Sequence, residues 1–217
     1  MLWQFCRIVL RNRNDILLID KQNVIDWYSG RVYPTLKQKE YSIISLDESL
    51  QGDYRLNVCR ITDPRTEKVI GIGSRIGAES LEKQLERIPS GKYWLADEGV
   101  FTGDTIITLS NMLKRSRIYI EGVVLGIVTL DAYTKLRERF RSSISCYVTE
   151  PIKEWADGRD AIGWDGRVTP NRRLIPYYEN PGWLSLPNSC QPELRRIWEE
   201  TQAILQKYNI KRPWIAK

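Results

Sequence analysis

Two short stretches of this 217-residue chain hold groups whose types and spacing could do chemistry. In the first, an apolar run, Tyr93-Trp94-Leu95-Ala96, ends in Asp97 and Glu98, and the turn Thr102-Gly103-Asp104-Thr105 follows shortly after. A turn of this kind, opening a helix, suits a phosphate. The first N–H groups of a helix lack intrahelical acceptors and carry partial positive charge, so an anion can take them. The hydroxyls of Thr102 and Thr105 can add hydrogen bonds, and Gly103 lets the backbone come close. Asp97 and Glu98, at a strand tip, are placed to accept hydrogen bonds from ribose hydroxyls or to meet a magnesium ion. This is the chemistry of a phosphorylated-sugar site.

The second stretch lies upstream. Val69-Ile70-Gly71-Ile72 reads as a short buried strand, followed by the glycine-punctuated loop Gly73-Ser74-Arg75-Ile76-Gly77. By itself Gly71-x-Gly73-x-x-x-Gly77, with Asp97 twenty positions on, admits a dinucleotide-binding fingerprint. That spacing is one residue longer than G-x-G-x-x-G and leaves the Thr102–Thr105 turn without a role. No Gly-Lys-Ser/Thr follows the glycines, which excludes a Walker phosphate loop.

Taken together, the two stretches resemble the type I phosphoribosyltransferases over about residues 68–150, with an apolar strand, two acids and a Thr-Gly-x-Thr loop. The resemblance implies that Asp97 and Glu98 hold the ribose hydroxyls of phosphoribosyl pyrophosphate. Thr102, Gly103, Asp104 and Thr105 would take its 5′-phosphate, Ser74 and Arg75 its pyrophosphate, and Mg²⁺ would bind with it. It also implies a homodimer and a nitrogen base as acceptor. In purine-type members an aromatic stacks on that base, and Trp155 and Trp164, with Asp157 or Asp160 nearby, are the candidates. The chain departs from the family pattern in Glu98, where aspartate is usual, and in Gly99 and Phe101. It departs further between Gly77 and Asp97, where only nineteen residues (78–96) replace the usual extra strand and long closing loop. Closure is therefore expected from elsewhere. That short connection favours a non-catalytic module sensing phosphoribosyl pyrophosphate or a nucleotide, whereas the complete turn and both acids favour an enzyme.

Composition limits the alternatives. With no histidine, Ser-His-Asp and Cys-His nucleophile systems, zincins and mixed Cys/His zinc sites are excluded. Phosphoribosyl transfer needs none. Cys6, Cys59, Cys146 and Cys190 form no C-x-x-C pair and read as reduced thiols, with a disulfide between two of them left open. The net charge of +6 is scattered, and its densest cluster, 135–141, contains Glu138 and reads as a solvated helix face. No nucleic-acid groove is expected. No run is long and apolar enough for a membrane helix, and the start of the chain does not read as a signal peptide, so a cytoplasmic protein is expected.

The elements that must position these groups follow from periodicity. In the first 55 residues, strands or edge elements are expected at 7–10, 16–19 and 23–27 and a loop at 30–34. A strand at 56–61 and a turn at 63–66 come next. Helices are expected at 78–88, 105–114 and 132–140, alternating with strands at 93–96, 122–130 and 144–148. This alternation predicts an α/β fold, a three-layer α/β/α core with a mostly parallel sheet. The domain reading is 1–55 for N-terminal elements packed on the core, 56–150 for the core and 151–217 for a C-terminal extension. Residues 150–192 hold six of the ten prolines and three of the eight tryptophans, marking that extension as aromatic-rich before a closing amphipathic helix at 192–208.

Overall fold

The most apolar run of the chain, Ile118–Thr129, can leave almost nothing in water, and it forms the long strand β6, with residues 122–129 buried. The computed structural model describes residues 2–12, 19–66, 68–141, 143–150, 166–184 and 186–209. β6 lies between β5 (Gly91–Val100) and β7 (Ile144–Glu150), and β5 pairs on its other side with β1 (Ser42–Ser45), which pairs with β2 (Tyr54–Arg55). All four pairings are parallel, giving the order β2-β1-β5-β6-β7. From β1 the chain first moves outward to β2 and later returns to build β5, β6 and β7 on the opposite side. The reversal point lies between β1 and β5, where an open sheet of this type forms its ligand crevice.

Helices cover both faces. On one, α4 (Leu81–Glu86), α5 (Asp104–Arg115) and α6 (Leu130–Phe140) contribute to a core with Leu95, Val123 and Leu125. On the other, α2 (Lys21–Trp27), a π-helical turn (Tyr28–Val32) and α3 (Tyr33–Gln38) pack Tyr28, Val32 and Leu36 against Ile43, Ala96 and Val124. The α/β class and the mostly parallel sheet expected from sequence are present.

The N-terminal expectations are corrected. Residues 7–10 lie within a helix, α1 (Leu2–Asn12), and 23–27 within α2, while most of 16–19 falls outside the described residues. Residues 30–34 are helical as well: the π turn carries the chain past Gly30, and Pro34 falls in the first turn of α3, where its missing N–H breaks no hydrogen bond. In α1, Phe5 and Ile8 lie on one helical face and are buried against Leu194 and Ile197 of α7 (Gln191–Lys207). The expected strand at 69–72 also changes character. It belongs to β4 (Val69–Ser74), antiparallel to β3 (Val58–Thr62), in a second sheet of order β4-β3-β8-β9 with β8 (Gly166–Val168) and β9 (Leu174–Pro176). Val69 and Ile70 are about half exposed rather than buried.

Among the described residues no helix is long and apolar enough to cross a membrane. Among the described residues Cys6, Cys59, Cys146 and Cys190 form no disulfide.

Candidate functional site

The carboxyl edge of the sheet at the β1/β5 junction collects the polar groups. Ser45 pairs in register with Ala96, and the N–H of Leu46 donates to the Ala96 carbonyl at 2.8 Å, so the loop after β1 starts beside Asp97. The two acids do not sit at a strand tip. β5 continues past them, with Asp97 opposite Leu125 and Val100 opposite Val128, and consecutive strand residues face opposite ways. Asp97 is half-buried; Glu98 is 6% exposed.

Glu98 is engaged by a residue that no motif singles out. Lys21, the first residue of α2, pairs with the Glu98 carboxylate, and its Nζ also lies 3.6 Å from the buried carboxylate of Asp47. Asp20 caps α2 by accepting from the N–H of Gln22 at 2.9 Å, which fixes where Lys21 begins the helix. Gly126 permits the close approach of α2. A Cβ at that position would lie 2.3 Å from the Glu98 carbonyl oxygen and 2.5 Å from Cγ1 of Val24. One ammonium is thereby shared by carboxylates from two adjacent loops and strands.

Asp47 organises the loop after β1. Its carboxylate accepts from the N–H of Ser49 at 2.8 Å and from the Ser49 hydroxyl, while the Ser45 hydroxyl donates to the Asp47 carbonyl at 2.7 Å. Asp47 is 2% exposed, and Glu48 beside it is exposed.

The turn after β5 is built differently. Gly103 holds φ +75°, a left-handed conformation that favours glycine, and serves as N-cap of α5. A Cβ there would approach Cγ of Leu136 to 3.3 Å, so the turn rests directly on α6. The Thr129 hydroxyl, which caps α6 by accepting from the N–H of Ala132, donates to the Phe101 carbonyl at 2.6 Å and pins the turn from the next strand. Thr102 is exposed, and its hydroxyl oxygen lies 3.4 Å from the N–H of Asp104. Asp104, the first residue of α5, pairs with Lys135. That ammonium and the Thr102 hydroxyl hold its carboxyl below the usual carboxylate range. Thr105 follows in the same turn, half-buried.

Ser74 and Arg75 are placed elsewhere. Ser74 is the last residue of β4, paired with Val58 at the open end of the β3–β4 hairpin, and Arg75 follows it, so this loop and Thr102–Thr105 follow strands of two different sheets. The Ser74 side chain is buried and its hydroxyl accepts from the Arg172 guanidinium at 2.7 Å; the Arg75 carbonyl accepts from the same guanidinium at 3.1 Å. A Cβ at Gly73 would meet Cδ1 of Ile61, the end of a flexible side chain, at 3.0 Å. The same placement removes the dinucleotide fingerprint, because Gly71–Gly77 leave an antiparallel strand instead of joining a strand of the parallel sheet to a helix. Trp155, Asp157, Asp160 and Trp164 lie outside the described residues. Among the described residues no group of three or more Cys, Asp or Glu side chains is gathered to hold a metal ion.

No family model matches this sequence, and no curated protein does. Among solved structures the chain is similar to an adenine phosphoribosyltransferase, with 13% identity and a TM-score of 0.39 over 67% of this chain and 99% of that one. It is similar also to the adenine phosphoribosyltransferase of Rhodothermus marinus, with 10% identity and a TM-score of 0.38 over 68% and 98% of the two chains. The orotate phosphoribosyltransferase of Mycobacterium tuberculosis, in complex with inorganic phosphate, gives 7% identity and a TM-score of 0.36 over 69% and 87%. These are likenesses of layout.

Proposed function

We propose that this chain binds a phosphoribosyl ligand, phosphoribosyl pyrophosphate or a nucleotide, in the manner of a phosphoribosyltransferase, with the 5′-phosphate on Thr102–Thr105. The observation that carries the reading is that turn: a left-handed glycine between two threonines, capping a helix beside the sheet's reversal point. The N–H groups of the first turn of α5 aim at such an anion, and Lys135 offsets the one carboxylate beside it. Asp97 would hold the ribose hydroxyls; Glu98 faces the other side of β5, where Lys21 takes its carboxylate.

In the transfer reaction a ring nitrogen of the base forms a bond to C1′ of the sugar. The C1′–oxygen bond breaks, pyrophosphate leaves with the electron pair, and the base gives up a proton to solvent. The chain's part is positioning: phosphate and ribose held fixed leave C1′ facing the incoming base. Magnesium would come as part of the substrate, held by its pyrophosphate oxygens, and would neutralise the leaving group. A homodimer in the cytoplasm belongs to the same proposal.

A second reading, a nucleotide sensor without transfer, draws on the loop after β1. That loop borders the crevice and presents Glu48, with Asp47 buried behind it, so a pyrophosphate there would face a carboxylate. Calorimetric titration with phosphoribosyl pyrophosphate plus magnesium, and with nucleoside 5′-monophosphates, tests binding. A pyrophosphate-release assay with a panel of bases tests transfer. Saturable binding of either ligand that is weakened by Thr102→Val supports the proposal, and turnover then decides between its two forms. Absence of binding to both at millimolar concentration would sink it.

A further inference from the structure

At the opposite edge of the sheet, α5 and α6 end beside the amino ends of β6 and β7. A surface groove of about 440 Å³ opens there, lined by Ser110, Lys114, Tyr119, Glu121, Arg139 and Arg141 among others. Cations at the C-terminal ends of helices usually answer the last carbonyls. Here Arg139 reaches across to α5 instead, donating to the Ser110 hydroxyl at 3.2 Å and to Oδ1 of Asn111 at 2.6 Å. Those partners are neutral, so they fix the guanidinium without cancelling its charge. Among the described residues neither Lys114, Arg139 nor Arg141 meets a carboxylate. The one acid in the lining, Glu121, is taken by Lys92 at 2.5 Å.

Two further features mark the groove. Arg141 holds φ +50° and ψ −114°, a conformation that L side chains rarely adopt, and it does so at the rim. Tyr119 is a large aromatic left 46% exposed within the same lining. The cluster at 135–141 is therefore not simply a solvated helix face: Arg139 and Arg141 turn to one concavity, while Lys135 goes to Asp104.

From this geometry we infer a second ligand site, for a nucleoside polyphosphate, with its phosphates on Lys114, Arg139 and Arg141 and its base on the Tyr119 ring. Three cations with no carboxylate of their own suit a polyanion, and a volume within the usual range of small-molecule sites fits one nucleotide. α5 and α6 run from this groove to the Thr102–Thr105 turn, so a ligand here sits at the far ends of the helices that build the other site. The inference stands whether or not the phosphoribosyl reading does.

The test titrates the full-length protein with ATP and with inorganic triphosphate at fixed ionic strength. The variants are Lys114→Gln combined with Arg141→Gly, which removes two charges and relaxes the backbone, and Tyr119→Ala. Circular dichroism and thermal melting confirm that each is folded. The double variant should lose at least tenfold in ATP affinity, and Tyr119→Ala should weaken ATP several-fold while leaving triphosphate unchanged. Thr102→Val should leave this binding within about twofold, which separates it from the site at the other edge. Unchanged ATP affinity in the folded double variant overturns the site. Equal affinity for ATP and triphosphate, with Tyr119→Ala silent, overturns the place given to the base. Tighter binding of a single-stranded RNA oligomer, with a steep salt slope, overturns the nucleotide in favour of RNA.

Discussion

The two loops that meet at the sheet's reversal point are made of opposite chemistry. The turn after β5 ends in a helix N-terminus and offers donors, with Gly103 opening the backbone and one exposed threonine beside it. The loop after β1 presents the exposed carboxylate of Glu48, and the N–H and hydroxyl of Ser49 are spent on the buried carboxylate of Asp47. Its side chains therefore suit an anion less well than those of the turn after β5. What keeps the acidic side tolerable is Lys21, delivered from the opposite face of the sheet by α2. Position in the fold makes both loops candidates for a ligand; side-chain chemistry assigns the phosphate to one.

The largest effect is expected from closing the donor side. Gly103→Val forces a β-branched residue into φ +75° and drives its Cβ toward Leu136, already 3.3 Å away. Left-handed strain and overpacking together should cost about 2–4 kcal/mol of stability. Urea unfolding of the variant checks this, and a loss under about 1 kcal/mol would mean that the turn is not held as described. Because this variant mixes folding with binding, it is a poor probe of ligand affinity alone.

Breaking the acidic side should come next. Lys21→Met removes the cation shared by the Asp47 and Glu98 side chains, 2% and 8% exposed. Losing one partner of a buried pair typically costs about 3–5 kcal/mol, but the Lys21 side chain is 39% exposed and partly screened, so about 2 kcal/mol is the expected loss. Adding Glu98→Gln to Lys21→Met should restore part of it. A double variant no more stable than the single one would show that the pair is not what couples α2 to the sheet.

How much of this was legible beforehand differs between the same two loops. The turn after β5 could be read because its parts are adjacent in sequence and flanked by strongly patterned elements, β5, α5 and the apolar run of β6. The site after β1 could not. Ser42–Ser45 is only four residues long, and the groups it joins come from Lys21, Asp47 and Glu98, far apart in the chain. The apolar runs near the N-terminus are too short to separate a strand from a helix by composition. One signal was available: Val24, Tyr28, Val32 and Leu36 recur every four residues, and all are buried on one helical side. Gly30 and Pro34 hid it by reading as a loop. The glycines around Ser74 misled for a related reason, since Gly73 lies within β4, opposite Cys59, instead of in a loop after it.

A smaller change sharpens the contrast without disturbing the fold. Thr102→Val removes an exposed hydroxyl from the donor side and should lower affinity for a 5′-phosphate about tenfold, equivalent to about 1.4 kcal/mol. The corresponding change on the acidic side, Ser49→Ala, should leave that affinity unaltered, because the Ser49 donors already serve Asp47. Calorimetry on both variants decides it. Equal losses would mean that both loops hold the anion and that the contrast between them is false.

The smallest effect tests the one acid that sits on the donor side. Asp104 occupies the first turn of α5, where its negative charge suits the helix N-terminus, and Lys135 and the Thr102 hydroxyl lower its carboxyl further. A carboxyl lowered in the folded protein contributes stability that is present above its unfolded value, about 3.9, and is lost as pH falls through the folded value. The pair is well exposed, 46% for Lys135 and 64% for Asp104, so solvent screening holds the contribution to no more than about 0.5 kcal/mol. Asp104→Asn should therefore be slightly less stable than the parent at pH 7, and the gap should close at a pH below the folded carboxyl value. One molar salt at pH 7 should narrow it as well. Urea unfolding of the two proteins across that range measures the gap. A difference that stayed constant from neutral to acid pH would show that the Asp104 charge contributes nothing and that the turn is held by Gly103 and Thr129 alone.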